Sequence, residues 1–128
     1  MEIGIKGIAS TLVTEDNTAM KVGSGLLPVF STPSMIALLE MAACNCVAEH
    51  LEEGSSSVGT LINVKHLAAT PIGMNVTATA TLTEIDGRKL TFDIEVIDEC
   101  GIIGTGTHER FIVYSEKFLA KTNAKLIK

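Results

Sequence analysis

Polar and apolar residues alternate along much of the second half of the chain. The stretches VTATATLTEI and KLTFDIEVI alternate with a period of two, which predicts strands with one buried face. The pair Asp86-Gly87 lies between them, and Cys100-Gly101 precedes a third extended stretch, IIGTGTHERFIVY; both pairs indicate tight turns. VGTLINVKHLAAT is also predicted to be a strand, interrupted by Pro71. The pattern therefore predicts several long antiparallel strands.

The first half of the chain predicts one long helix. Two short extended segments, Ile3–Val13 and Asn17–Val22, come before a loop with the sequence GSGLLP. The helix that follows is predicted to have Thr32 or Ser31 as its N-cap and to end near Glu53, where GSSS interrupts it. Because the helix is apolar on most sides, the sheet must largely wrap it, and we expect an α+β fold.

Glu40 is the only charged residue in the stretch Val22–Ala48. At about 100° per residue, five small or apolar residues fall on the same helix face, so Glu40 is expected on the buried face. These residues are Ile36, Ala37, Ala43, Cys44 and Val47. Burial of an unpaired carboxylate costs several kcal/mol. Glu40 is therefore either paired structurally with a buried Arg, Lys or His, or it is an acid, base or nucleophile of an active site.

His66 and Thr32 are two further candidates. Alternation places His66 on the apolar face of its strand, where it is either a core histidine or a partner in a site with Glu40. The residues predicted to share that face are Val58, Ile62, Val64 and Ala68. Thr32 either caps the helix or belongs to the site. Since Thr32 and Glu40 are eight helical residues apart, about 12 Å, either the preceding chain folds back or a second subunit completes the site.

Composition restricts the class of protein. The chain has 128 residues, enough for one domain, and its net charge of -5 argues against nucleic-acid binding. An uncharged run, Val22–Leu39, has the length of a membrane span but contains glycines and prolines that do not suit one. The start MEIGIKGIAS does not resemble a signal peptide, and three cysteines do not suggest a disulfide framework. We expect a cytoplasmic protein without a membrane partner, a metal or a disulfide.

The C-terminal stretch is the one basic part of an acidic chain. Lys117, Lys121, Lys125 and Lys128 are spaced to line one face of a helix within residues 115–128. This possible basic helical tail is either a solvated stripe or a surface that attracts the phosphates of an anionic ligand.

With these residues in view, the sequence resembles hotdog-fold thioesterases, and specifically the fluoroacetyl-CoA thioesterase-like family. The resemblance extends from Val13 to Tyr114 and rests on STPSMIALLE, VGTLINVKHLAATPIGMNV and GTGTHERFIV. It implies a single hotdog domain, in which an antiparallel sheet wraps one long central helix. It also implies a homodimer that binds acyl-CoA at the subunit interface, with no cofactor other than the CoA of the substrate.

The resemblance further assigns a set of site residues. Thr32, Glu40 and His66 take the catalytic positions, and Gly59 and Arg110 take positions that contact the substrate. In chemical terms, a thioesterase needs a base or nucleophile, a group that manages protons, and donors for the oxyanion. Glu40 is expected as base or nucleophile, and His66 as a proton shuttle or a donor to the carbonyl.

One departure from the family pattern bears on the substrate. The fluoroacetyl-CoA enzymes carry an aromatic lid just before the helix, whereas this chain has Gly23, Leu26 and Leu27, with Phe30 the only nearby aromatic residue. We therefore expect a general short- or medium-chain acyl-CoA thioesterase. The alternatives are a non-catalytic acyl-CoA binding module and a hotdog hydratase or dehydratase, which also pairs a histidine with a carboxylate.

Overall fold

A computed structural model describes residues 1–127 of the chain. Within them, the strands are β1 (Lys6–Leu12), β2 (Ser55–His66), β3 (Asn75–Asp86), β4 (Lys89–Ile97) and β5 (Ile102–Tyr114). The α-helices are α1 (Ala19–Val22), α2 (Thr32–Val47) and α3 (Ser115–Asn123), with short 3-10 turns at Glu15–Asn17, Ala48–His50 and Ala124–Leu126. The strands form one antiparallel sheet in the order β1-β3-β4-β5-β2, so β2 lies at an edge.

Helix α2 lies across the inner face of this curled sheet, as the sequence predicted. It packs chiefly against β1 and β3 and only lightly against β2. Its buried face consists of Met35, Leu38, Leu39, Ala42, Ala43, Cys46 and Val47. These side chains meet inward-facing residues of β3 and β4 such as Leu82 and Phe92, which are fully buried. The outer face of α2 stays open, and Met41 there is 57% exposed.

Two boundaries in the first half differ from the prediction. Asn17–Val22 is not extended, because the Thr18 hydroxyl accepts a hydrogen bond from the Lys21 backbone N–H (3.3 Å) and caps a helical turn. Gly23 then ends α1 in the left-handed conformation, with φ of 85°. The central helix also ends earlier than predicted, since α2 tightens into a 3-10 turn after Val47.

The other predicted turns and the tail agree better with the structure. The β3–β4 connection contains Gly87, with φ of 62°, and the β4–β5 connection contains Cys100-Gly101. In the tail, α3 carries Lys117 and Lys121, and Lys125 lies in the 3-10 turn after it. Lys128, the last member of the predicted stripe, lies outside the described residues. None of the helices in residues 1–127 is both long and apolar enough to span a membrane.

A glycine in β1 sets the distance between the sheet and α2. Gly7 is buried, and a Cβ atom there would overlap the Ala42 carbonyl oxygen and the Cys46 backbone nitrogen. Because those atoms belong to the helix backbone, no side-chain rotation relieves the overlap. The absence of a side chain at Gly7 therefore lets the backbones of β1 and α2 pack in direct contact.

We expect Gly7→Ala to destabilise the fold by about 3 kcal/mol, since the helix must move away from the sheet. Ser10→Ala, on the exposed side of the same strand, is the matched control and should change stability by less than about 1 kcal/mol. Urea unfolding followed by circular dichroism measures both. Equal stability of the two variants would show that the contact at Gly7 does not set the packing distance.

Candidate active site

The N-terminus of α2 contributes the first pair of predicted site residues. Ser31 is the N-cap, because its Oγ accepts a hydrogen bond from the Ser34 N–H at 3.1 Å. Thr32 is therefore not needed as a cap, and of the two predicted caps only Ser31 fills that role. The Thr32 Oγ1 instead lies 2.8 Å from Nδ1 of His66, the last residue of β2. The sequence predicted both residues as site members, and the fold brings them into direct contact.

The second ring nitrogen of His66, Nε2, has different surroundings from the first. Nε2 is buried, and within residues 1–127 it has no hydrogen-bond partner. Burial lowers the pKa of His66 below its ordinary value of 6.5, opposed by a hydrogen bond with the backbone of Ala68. A cleft of about 310 Å³ opens beside the ring. Its lining residues are Ala19, Ser24, Val29, Phe30, Thr32, His66, Leu67, Ala68 and Ala69.

Glu40 belongs to a second cluster, centred on the buried guanidinium of Arg110. Arg110 Nη1 donates to Glu40 Oε2 at 3.2 Å. Arg110 Nε donates to the Ser57 Oγ (2.8 Å), and Nη2 donates to the Ser57 carbonyl oxygen (2.9 Å). Of the partners that the sequence left open for Glu40, the structure shows an arginine, Arg110, and within one chain His66 contacts Thr32 instead. Glu40 is also only half-buried, with 38% of its side chain exposed.

Gly59 lies directly against this carboxylate. A Cβ atom at Gly59 would lie 2.5 Å from Glu40 Oε2 and 3.3 Å from the ring carbon Cε1 of His108. The register between β2 and β5 shifts between Gly59 and Leu61, which leaves Thr60 as a bulged residue. Without a side chain at position 59, the Glu40 carboxylate can lie over the strand backbone.

The bulge changes which residues of β2 share a face, and the observed faces differ from the predicted ones. Before Thr60, the side chain of Ser57 points toward Arg110, and a side chain at Gly59 would point toward Glu40. After the bulge the parity changes, and His66 points toward the helix end. Val58 was predicted to share a face with His66, and this grouping is wrong because the extra residue lies between them.

His108 is the residue of this site that the sequence did not single out. It is fully buried, its Nδ1 lies 2.7 Å from the Leu61 carbonyl oxygen, and its Nε2 lies 3.2 Å from Arg110 Nη1. In the sequence, its charged neighbours Glu109 and Arg110 make it a weaker candidate than His66. Period-two alternation in β5 would have placed His108 on the same face as Arg110, and this was the available signal.

The five predicted site residues thus lie in two clusters. Thr32 and His66 form one at the start of α2, and Glu40, Gly59 and Arg110 form the other two turns further along it. The helical rise between Thr32 and Glu40 is about 12 Å, which is too long for direct contact. Among the described residues, one cluster offers an imidazole nitrogen without a hydrogen-bond partner, and the other offers an oriented carboxylate. Together they contain the groups that acyl-transfer chemistry requires.

Comparison with known proteins gives consistent matches. The family described as fluoroacetyl-CoA-specific thioesterase matches residues 13–116. The fluoroacetyl-CoA thioesterase of Streptantibioticus cattleyicolor is 45% identical over 97 residues, which cover 76% of this chain and 70% of that protein.

Solved structures agree with the sequence matches. A structure of a fluoroacetyl-CoA thioesterase superposes with a TM-score of 0.93 at 37% identity, covering 98% of this chain and 97% of that one. A variant of such an enzyme in complex with fluoroacetate and CoA gives a TM-score of 0.87 at 36% identity, covering 92% and 99%. A Thermus thermophilus thioesterase superfamily member gives 0.88 at 27% identity, covering 95% and 90%. The predicted hotdog fold is confirmed.

The two site histidines make stability depend on pH. Burial lowers the pKa of His66 and of His108, and the adjacent Arg110 lowers that of His108 further. Below the ordinary pKa of 6.5, the unfolded chain takes up protons that the folded chain does not. The free energy of unfolding should therefore decrease as pH falls from 6.5, by at most about 1.4 kcal/mol per pH unit for each histidine.

Urea unfolding at pH 7.5, 6.5 and 5.5, at constant ionic strength and protein concentration, measures this dependence. In His66→Gln the decrease should be smaller, because one of the two groups is removed. A pH dependence in His66→Gln equal to that of the wild type would contradict the assignment.

Proposed function

The chain belongs to the fluoroacetyl-CoA thioesterase family, and we propose that it hydrolyses a short- or medium-chain acyl-CoA to the free acid and CoA. The family resemblance predicted from the sequence is confirmed by the match to residues 13–116 and by the 45% identical relative. The observation that carries the proposal is that the buried Nε2 of His66, beside an open cleft, has no hydrogen-bond partner in the part of the chain that the structure describes. A ring nitrogen in this position is suited to meet a substrate atom.

The residues of the two clusters supply the groups that hydrolysis needs. Glu40 either removes a proton from the attacking water or attacks the thioester carbonyl itself, and then water releases the acid. When the carbon–sulfur bond breaks, the CoA thiolate takes up a proton. His66 delivers that proton or holds the carbonyl oxygen, and Thr32 fixes the orientation of its ring. Arg110 holds the Glu40 carboxylate and, with Gly59, borders the substrate.

We propose that the functional unit is a homodimer, because one chain leaves the two clusters apart. Strand β2 is an edge strand, and Leu61 and Ile62 on it are 42% and 38% exposed. A two-fold axis perpendicular to the sheet pairs an edge strand antiparallel with its own copy. If that axis passes near Ile62, midway between Gly59 and His66, the His66 end of one β2 lies beside the Gly59 region of the other. Each site then combines Thr32 and His66 from one subunit with Glu40 and Arg110 from the other.

The loop before α2 supports a substrate range wider than fluoroacetyl-CoA. Leu26 and Leu27 are 90% and 65% exposed, and Phe30 is fully buried in the core. The one aromatic residue near this loop is therefore a buried part of the cleft wall, not an exposed lid. The proposed cytoplasmic location and the absence of a cofactor other than substrate CoA rest on the sequence.

Glu40→Gln should lower hydrolysis at least about a hundredfold, a loss of roughly 2.7 kcal/mol in transition-state stabilisation, with the fold retained. A free-thiol assay over acyl-CoAs from acetyl to octanoyl measures the rate. Glu49→Gln, an exposed carboxylate beyond the end of α2, is the matched control and should match the wild type. Wild-type hydrolysis by Glu40→Gln would exclude the catalytic role.

The free-thiol assay separates the alternatives when it is combined with enoyl-CoA absorbance and a measurement of acyl-CoA binding. A change in enoyl-CoA absorbance without thiol release would indicate a hydratase. Binding of acyl-CoA without either signal would indicate a binding module.

Subunit mixing tests the shared site. Glu40→Gln and His66→Ala homodimers should each be nearly inactive, whereas a heterodimer of the two has one site with both native residues. Random reassociation should therefore restore about a quarter of wild-type activity, since half the dimers are mixed and each has one intact site. If both residues of a site come from one chain, no mixture regains activity, and that outcome would contradict the shared site.

A further inference from the structure

His108 is buried between the sheet and the Arg110 guanidinium, and it is not among the groups assigned to the reaction. The charged or polar groups around it come from three elements: Glu109 and Arg110 on β5, the Leu61 carbonyl on β2, and Glu40 on α2. On β4, Phe92 stacks on its ring, with centroids 6.0 Å apart. Both ring nitrogens of His108 are therefore engaged inside the protein, whereas within residues 1–127 only Nδ1 of His66 has a hydrogen-bond partner.

The neighbours of His108 determine which ring nitrogen carries the proton. A backbone carbonyl only accepts hydrogen bonds, so Nδ1, at 2.7 Å from the Leu61 oxygen, must be protonated. A guanidinium only donates, so Nε2, at 3.2 Å from Arg110 Nη1, must be the unprotonated acceptor. The ring is therefore neutral. Burial and Arg110 both lower the pKa of His108, which agrees with this protonation state.

Arg110 Nη1 is thus placed between two acceptors. It donates to Glu40 Oε2 and to His108 Nε2, both at 3.2 Å, while Ser57 binds the other two nitrogens. The Ser57 contacts fix the plane of the guanidinium from the β2 side. The His108 contact fixes Nη1 from within β5, and so fixes the direction in which it meets the carboxylate.

We propose that His108 is a positioning residue, which acts as a neutral hydrogen-bond acceptor for Arg110 and thereby orients Glu40 toward the thioester. This proposal rests on the proposed thioesterase function, because it assigns His108 to the same site. His108 does not touch the substrate, so its loss should reduce kcat and leave KM nearly unchanged.

Two substitutions separate positioning from a structural role. In His108→Asn the amide lies near the position of Nδ1, so it keeps a donor for the Leu61 carbonyl and removes the acceptor for Arg110. In His108→Gln the longer side chain places an amide oxygen near the position of Nε2, where it accepts from Arg110. A purely structural histidine would be replaced better by Asn, whereas a positioning histidine would be replaced better by Gln.

The kinetic test uses the acyl-CoA that the wild type hydrolyses fastest among acetyl-, butyryl-, hexanoyl- and octanoyl-CoA. We expect kcat to fall about thirtyfold in His108→Asn and to stay within about threefold in His108→Gln, with KM within about twofold in both. Wild-type kcat in folded His108→Asn, or equal losses in the two variants, would overturn the proposal.

A measurement on the wild-type protein covers the case in which the variants do not fold. Nitrogen-15 chemical shifts of the imidazole should show His108 as the neutral tautomer with the proton on Nδ1 at pH 7. The opposite tautomer or an imidazolium would overturn the proposal. Because this readout needs no turnover, it is independent of the thioesterase assignment, which would fail separately if no acyl-CoA were hydrolysed.

Discussion

The buried guanidinium of Arg110 is the group on which the site depends. A charge inside a protein costs several kcal/mol unless hydrogen bonds and an opposite charge compensate it. Here Ser57 on β2, His108 on β5 and Glu40 on α2 supply that compensation. The contacts of Arg110 with these three residues connect two strands and the helix at one point. They also explain why an otherwise uncharged helix carries one carboxylate.

The stiffness of α2 imposes the second constraint. Thr32 and Glu40 lie on one straight helix, so the helical rise of about 12 Å between them cannot be closed by side-chain motion. The His66 imidazole stays with Thr32 because β2 ends there. In the proposed dimer, antiparallel pairing of the β2 edges compensates for this separation. The fold of each subunit would then supply two half-sites, and assembly would complete both.

The sequence predicted the elements whose signals are local. Alternation marked β3 and β4, and the apolar stretch with one proline in its first turn marked α2. The sequence prediction failed at Asn17–Val22, which was predicted to be extended. A side-chain cap from Thr18 makes Ala19–Val22 a short helix instead. The prediction also failed at Thr60, because a single bulged residue reverses which side of β2 faces the helix. Such features depend on pairing with a distant strand.

The site residues also divide into those with local sequence signals and those that depend on pairing between distant strands. Thr32, Glu40, His66, Gly59 and Arg110 were named from local motifs and the family resemblance, and the fold places them in two contact groups. The pairing of Glu40 with Arg110 required the register of β5 beside β2, which no local pattern encodes. His108 was missed because its charged neighbours outweighed the strand period.

A crystal structure with a non-hydrolysable acyl-CoA analogue, in which a methylene replaces the thioester sulfur, tests the shared site most directly. We expect the analogue carbonyl to lie between the Glu40 carboxylate of one subunit and the His66 Nε2 of the other, across paired β2 edges. A carbonyl bound between Glu40 and His66 of the same chain, or away from both, would contradict the account.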